Sequence, residues 1–276
     1  MERLSVDLRD VSIGYSQRHG KRMVASHLTA TIRSGLLTCL LGENGVGKST
    51  LLRTLAGFQP RLSGQIIVGD RDLDDYSDRE LARTVGVVLT ERLDLQQTTV
   101  SELVGLGRSP YTGFWGRLTD ADEQICHEAM SQVGITALAT RMVSTLSDGE
   151  RQKVMIAKAL AQQTPVIYLD EPTAFLDYPT KVDTLLLLRR ISRESGKTVF
   201  LSTHDLELAL QVADEAWLME QGGRLSIGTP QQLAADGSLV RFVERRPGVR
   251  FDPLSMSVEL QSNDGCIALH HPGQEK

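Results

Sequence analysis

LLTCLLGENGVGKSTLLRTLAG, residues 36–57, decides the fold. Residues 36–42 form an apolar run ending in glycine, as in a strand buried on both faces, and residues 49–57 carry helical spacing with a glycine stop. Between them GENGVGKST, 42–50, satisfies G-x-x-x-x-G-K-[ST] in the strand-to-helix setting that this motif requires. Gly42, Gly45 and Gly47, with Asn44 among them, let backbone N–H groups close round phosphates, and the helix start adds positive potential. Lys48 reaches the β- and γ-phosphates, the Ser49 hydroxyl binds Mg²⁺, and Thr50 completes the loop. The stretch predicts a nucleoside triphosphate site in an α/β fold.

Its counterpart lies downstream in VIYLDE, 166–171. Four apolar residues bury a strand, and Asp170 emerges at the C-terminal end, where ligands of open α/β sheets gather. Asp170 would hold Mg²⁺ through water, and Glu171 would polarise an attacking water. An apolar run ending in Asp-Glu is an ordinary strand end by itself; it gains meaning only beside 42–50.

The whole-chain numbers exclude other classes. With 276 residues, the chain suits one domain with a subdomain or appendage. It is 41% apolar and 24% charged, ordinary for a soluble globular protein. The net charge of −5 disfavours a general nucleic-acid binder. Cys39, Cys126 and Cys266 form neither a metal-type pair nor an even disulfide framework, so a reducing compartment is expected. MERLSVDLRD has acidic residues where a signal peptide needs its apolar core, and no apolar run approaches a membrane span. If the protein works at a membrane, a partner holds it there.

Residues 4–15 and 27–32 alternate like half-buried strands around an exposed turn at 18–22. Residues 77–160 are mostly helical in pattern, broken at 107–116, and 165–172 and 198–205 are further short strands. The arginine-rich segment 242–253 reads as a solvated charged face, and 254–276 as a short hairpin or loose tail. No chemistry is assigned to either.

In order and spacing, these motifs resemble the ATP-binding cassette subunits of membrane transporters over roughly residues 3–230. LSDGE, 146–150, resembles the family signature LSGGQ. AFLD, 174–177, resembles the D-loop, ending in Asp177. STHD, 202–205, resembles the switch segment, with His204 as the γ-phosphate histidine, and Tyr15 stands where the family has an aromatic that stacks on adenine. Alone, Tyr15 is a strand-end tyrosine and His204 an ordinary polar residue. The resemblance implies an α/β P-loop NTPase with a RecA-like core, an N-terminal antiparallel β subdomain and an inserted α-helical signature subdomain at about 92–160. The cassette would span 1–230 and a C-terminal extension 231–276. It further implies hydrolysis of ATP with Mg²⁺ by two copies paired head to tail, with Ser147 and the Gly149 N–H of one covering the nucleotide of the other.

LSDGE admits a second reading, in which Ser147 and Glu150 form a capping box at a helix start. The two are compatible, because a capped helix start is what presents the phosphate site. Gly149 is kept, since a side chain there would block the phosphate. Asp148 replaces the usual first glycine and is tolerable only with its carboxylate turned away from the nucleotide. A second departure is Thr90, which falls at the end of VGVVLT, 85–90, where the family has a strand ending in a metal-touching glutamine. Its short hydroxyl would need a bridging water, which implies slower or altered coupling with ATP binding retained.

TTVSELVGLGRSPYTGFWGRLTDADE, 98–123, resembles the corresponding stretch of cassettes serving importers of iron–siderophore complexes, haem or vitamin B12. The bland alternative is that Tyr111, Phe114 and Trp115 pack the helical subdomain. The importer resemblance implies integral membrane permease subunits, indirectly a periplasmic or lipoprotein binding protein, and a place on the cytoplasmic face of the inner membrane. The stretch from Gly42 to Leu146 is too short for the coiled coil of DNA-repair members, and one cassette per chain is unlike translation members. A soluble assembly scaffold, as in iron–sulfur cluster assembly, is the remaining rival. Intact Glu171 and His204 weigh against it.

Overall fold

Because parallel strands are buried on both faces, their apolar residues must feed two cores at once. The computed structural model describes residues 3–17, 20–89, 97–113, 116–245 and 248–260. Its strands are β1 (Val6–Gln17), β2 (Gly20–Ile32), β3 (Leu37–Leu41), β4 (Ser63–Val68), β5 (Arg71–Asp72), β6 (Val85–Val88), β7 (Val166–Asp170), β8 (Thr198–Thr203), β9 (Glu215–Met219), β10 (Leu225–Gly228), β11 (Val249–Asp252) and β12 (Ser257–Leu260). Its α-helices are α1 (Lys48–Leu55), α2 (Asp78–Thr84), α3 (Val100–Gly105), α4 (Asp120–Gln132), α5 (Asp148–Ala161), α6 (Tyr178–Ser195), α7 (Leu206–Val212), α8 (Pro230–Ala235) and α9 (Ser238–Val243).

The central sheet runs β10-β9-β3-β8-β7-β6, parallel except for the β9/β10 pair, and an antiparallel sheet runs β2-β1-β4-β5. Alternation along the central strands divides the interior. Cys39, Leu41, Ile167, Leu169, Val199 and Leu201 face the core shared with α3–α7. Leu40, Tyr168, Phe200 and Trp217 face the core shared with α1 and the antiparallel sheet. There the Phe200 and Trp217 rings meet edge to face with centroids 4.9 Å apart, and Tyr168 and Phe200 do so at 6.2 Å. The C-terminal ends of β3, β7 and β8 therefore open at one rim, which is where the site lies.

The structure departs from the pattern reading at Val85–Val88 and at Val249, and it decides between the two readings of Tyr111. Val85–Val88 is an edge strand, pairing parallel with β7, as the family alignment of VGVVLT implies, although the pattern of 77–160 reads as mostly helical. Three valines in four residues favour β structure, and the last turn of α2 closes directly onto them. The hairpin begins at Val249, inside the segment read as a solvated face, and Phe251 is buried. Tyr111 is a packing residue: its hydroxyl donates to the Gln162 carbonyl, and the Arg108 guanidinium lies 4.0 Å from its ring centroid. Arg108 is itself buried, donating to Asp122 (2.9 Å) and to the Ala161 carbonyl (2.8 Å), so LGRSPYTG ties α4 to the end of α5. Phe114, Trp115 and Thr90, together with residues 18–19 of the expected turn, lie outside the described residues.

Candidate nucleotide site

The phosphate loop joins β3 to α1. Gly47 has φ +117°, and a Cβ there would lie 2.3 Å from Val24 Cγ1, so only glycine lets the loop pass this close to β2. No side chain caps α1, which leaves its first N–H groups directed at the loop's concavity. Lys48 is 5% exposed; its ammonium donates to the Gly42 carbonyl (2.8 Å) and the Glu43 carbonyl (3.3 Å). It also lies 3.4 Å from Glu171 Oε1. The Gly42 and Glu43 carbonyls and the Glu171 carboxylate thus hold the ammonium beside the loop, the cation a phosphate cradle needs next to its N–H groups. Asn44, Gly45, Gly47, Lys48, Ser49, Thr50 and Glu171 line a cleft of about 390 Å³ together with Tyr15, Arg22 and Val24. The Tyr15 hydroxyl and Thr50 Oγ1 are 2.9 Å apart, so the ring stands at the mouth of this cleft, 42% exposed.

The carboxylates come from the ends of neighbouring strands. Ser49 Oγ donates to Asp170 Oδ1 (3.2 Å), which also accepts from Ser202 Oγ (2.6 Å). Ser202 in turn accepts from the Glu171 N–H at 3.0 Å. That bond braces Glu171 at φ +46°, a left-handed conformation that costs a non-glycine residue about 1 kcal/mol. Glu171 Oε2 is 2.8 Å from His204 Nδ1. Ser49 and Asp170 offer two hard oxygen donors, the set that suits Mg²⁺ when phosphates and water supply the remaining ligands. No group of three or more His, Cys, Asp or Glu among the described residues could hold a metal by itself.

The structure thus brings together Tyr15, Thr50, Lys48, Ser49, Asp170, Glu171 and His204. Ser147, Gly149 and Asp177 stand apart from that cluster in a second one. Ser147 is the N-cap of α5 in a full capping box: its hydroxyl accepts from the Glu150 N–H (3.2 Å), while Glu150 accepts from the Ser147 N–H (2.8 Å). The Ser147 N–H bond first, with Arg141 beside it, lowers the Glu150 pKa. Asp148 is exposed in the first turn. A Cβ on Gly149 would lie 2.8 Å from Thr180 Cγ2, an intrachain reason for glycine in addition to the expected phosphate contact. Asp177 caps α6 by accepting from the Thr180 N–H (3.3 Å).

Three residues in these clusters were not singled out from the sequence. Ser202 sits in STHD itself, and strand alternation puts it beside Asp170. Lys181 and Asp205 pair at 3.0 Å, fixing the residue after His204 to α6. Nothing local in the sequence indicates that pair, since its partners are brought together only by the packing of α6 on α7.

The ABC transporter family profile matches residues 25–174. The chain is 36% identical over 245 residues to the ferric enterobactin transport ATP-binding protein of Escherichia coli, covering 89% of each. It is 35% identical over 239 residues to the achromobactin transport ATP-binding protein of Dickeya dadantii, covering 87% of each. Among solved structures it resembles a dimeric bacterial ABC transporter cassette, with a TM-score of 0.69 and 25% identity, over 80% of this chain and 97% of the other.

Proposed function

The chain belongs to the ABC transporter family, and from that premise we propose that it is the ATP-hydrolysing subunit of a membrane importer for iron chelates. The observation that carries the reading is the Lys48–Glu171–His204 cluster beside Ser49 and Asp170. Lys48 and the loop N–H groups orient the triphosphate, and Tyr15 stacks on the adenine. Mg²⁺ held through Ser49 and Asp170 would neutralise phosphate charge. Glu171 accepts a proton from the attacking water as its oxygen bonds to the γ-phosphorus and the bond to the β-phosphate oxygen breaks, giving ADP and phosphate. His204 orients Glu171 and donates to the γ-phosphoryl oxygens as charge develops on them. Ser147 and Gly149 of a second copy complete the site.

No helix of the described residues is long and apolar enough to cross a membrane. A cleft of about 390 Å³ lined by Phe58, Leu81 and Val87 would receive a cytoplasmic permease helix. Phe58 is 64% exposed, and Arg83 ties this cleft to the importer-like stretch by donating to the Pro110 carbonyl at 2.9 Å. That docking would place the subunit on the cytoplasmic face. The iron chelate comes from the relatives' substrates; haem and cobalamin are the other cargoes to test.

Tagging the chain in its native host, solubilising membranes gently and identifying co-purifying proteins tests the proposal. Recovery of a polytopic permease with a chelate-binding lipoprotein or periplasmic protein is expected. Recovery of soluble partners alone would replace it with the assembly-scaffold reading.

A further inference from the structure

We infer that Phe175 of one copy seats in a cavity of the other that the C-terminal extension helps to build, making the extension part of the ATP-dependent contact between copies. The inference rests on the head-to-tail pairing proposed above. The cavity, about 560 Å³, has Asn44 and His204 on one side and Phe242, Val243, Val258 and Leu260 on the other. It shares only Asn44 with the cleft that contains Tyr15. Its extension wall is anchored: the Val258 N–H donates to Glu207 (2.8 Å), and Arg245 pairs with buried Glu220.

Phe175 fits as the occupant by position and chemistry. It is 73% exposed, and its φ of +64° is a strained conformation for an aromatic residue. It is also fixed relative to the signature. Asp177 caps α6, and Thr180 in the first turn of α6 abuts Gly149, so the loop 174–177 lies against the signature. Laying that signature over a partner's phosphate loop brings the 174–177 loop down beside it. The hollow with Tyr15 takes adenine, and the cavity, joined to it through Asn44, offers the apolar wall of Phe242, Val243, Val258 and Leu260 that an aromatic ring needs. Its volume far exceeds the roughly 150 Å³ that holds a benzene ring, enough for the ring and part of its loop.

The test uses the full chain carrying Glu171→Gln. Light scattering with and without Mg·ATP establishes whether this parent dimerises. Phe175→Cys and Val258→Cys are then combined, with Cys266→Ser, and treated with a short bismaleimide; Cys39 and Cys126 are buried. A covalent dimer that needs both cysteines and Mg·ATP is expected. In parallel, Phe175→Ala should raise the dimer dissociation constant about tenfold or more, the effect of exposing a buried phenyl ring. A parent that dimerises while the cysteine pair fails to cross-link, or an unchanged constant for Phe175→Ala, overturns the inference and leaves the pairing intact. A parent that stays monomeric overturns the pairing, and the inference with it.

Discussion

His204 Nδ1 and Glu171 Oε2 lie 2.8 Å apart, joining residues 33 positions apart into one hydrogen-bonded unit at the ends of β8 and β7. The same carboxylate meets Lys48 through its other oxygen at 3.4 Å. Replacing His204 with alanine should therefore leave ATP binding within about threefold while lowering kcat by about a hundredfold, the usual scale for losing one acid–base partner. Nucleotide titration beside steady-state hydrolysis separates the two effects. A loss confined to binding would remove His204 from the chemical step.

Tyr15 offers a ring to the cleft and a hydroxyl to Thr50. Base stacking on an aromatic is worth about 1–3 kcal/mol. Tyr15→Phe should keep ATP affinity within about twofold, and Tyr15→Ala should weaken it about tenfold or more. Equal weakening by both substitutions would assign the effect to the hydroxyl and its hold on Thr50.

Gly149 separates an intrachain demand from an interchain one. Gly149→Ala should destabilise the monomer by about 1–3 kcal/mol, because the added Cβ runs into Thr180 Cγ2. Adding Thr180→Ser removes that methyl and should restore most of the lost stability in urea unfolding. It should not restore ATP-driven pairing, where the expected obstruction is with the partner's nucleotide. Recovery of both would leave no interchain role for this glycine.

Acid should weaken the helical region through Asp122. The Thr119 N–H, then the Thr119 hydroxyl and Arg108, lower its pKa from 3.8 to about 2. A depressed carboxyl pKa contributes stability that is fully present above 3.8 and lost as the pH falls toward 2. Asp122→Asn should therefore cost about 1 kcal/mol at neutral pH, the scale of a helix cap, with the gap from wild type closing below pH 3.8. A gap independent of pH would show that packing, not charge, underlies it.

The phosphate loop, the Asp170–Glu171 strand end and the capping box at 147–150 were readable because each is set by local chemistry: glycines at a sharp turn, a buried strand's polar end, and an S-x-x-E spacing. Residues that act through packing were not. Ser202 acquires its role only when β8 lies beside β7, and Lys181 only when α6 meets α7. The edge strand Val85–Val88 is four residues long, too short for a period to separate it from its helical surroundings. Tyr111 shows the converse limit. Its neighbourhood resembles importer cassettes, but that its ring and hydroxyl pack within the helical subdomain is decided only by Arg108 and Gln162, which the fold brings to it.

The central claim is that two copies close on ATP and that Glu171 carries its hydrolysis. The most direct measurement follows ATP turnover and mass in solution together, for wild type and Glu171→Gln. Wild type should hydrolyse ATP, and the variant should lose about a hundredfold or more in rate while Mg·ATP doubles its mass from 30.4 kDa. A variant that hydrolyses ATP as fast as wild type, or that holds ATP and remains at 30.4 kDa, would contradict the account.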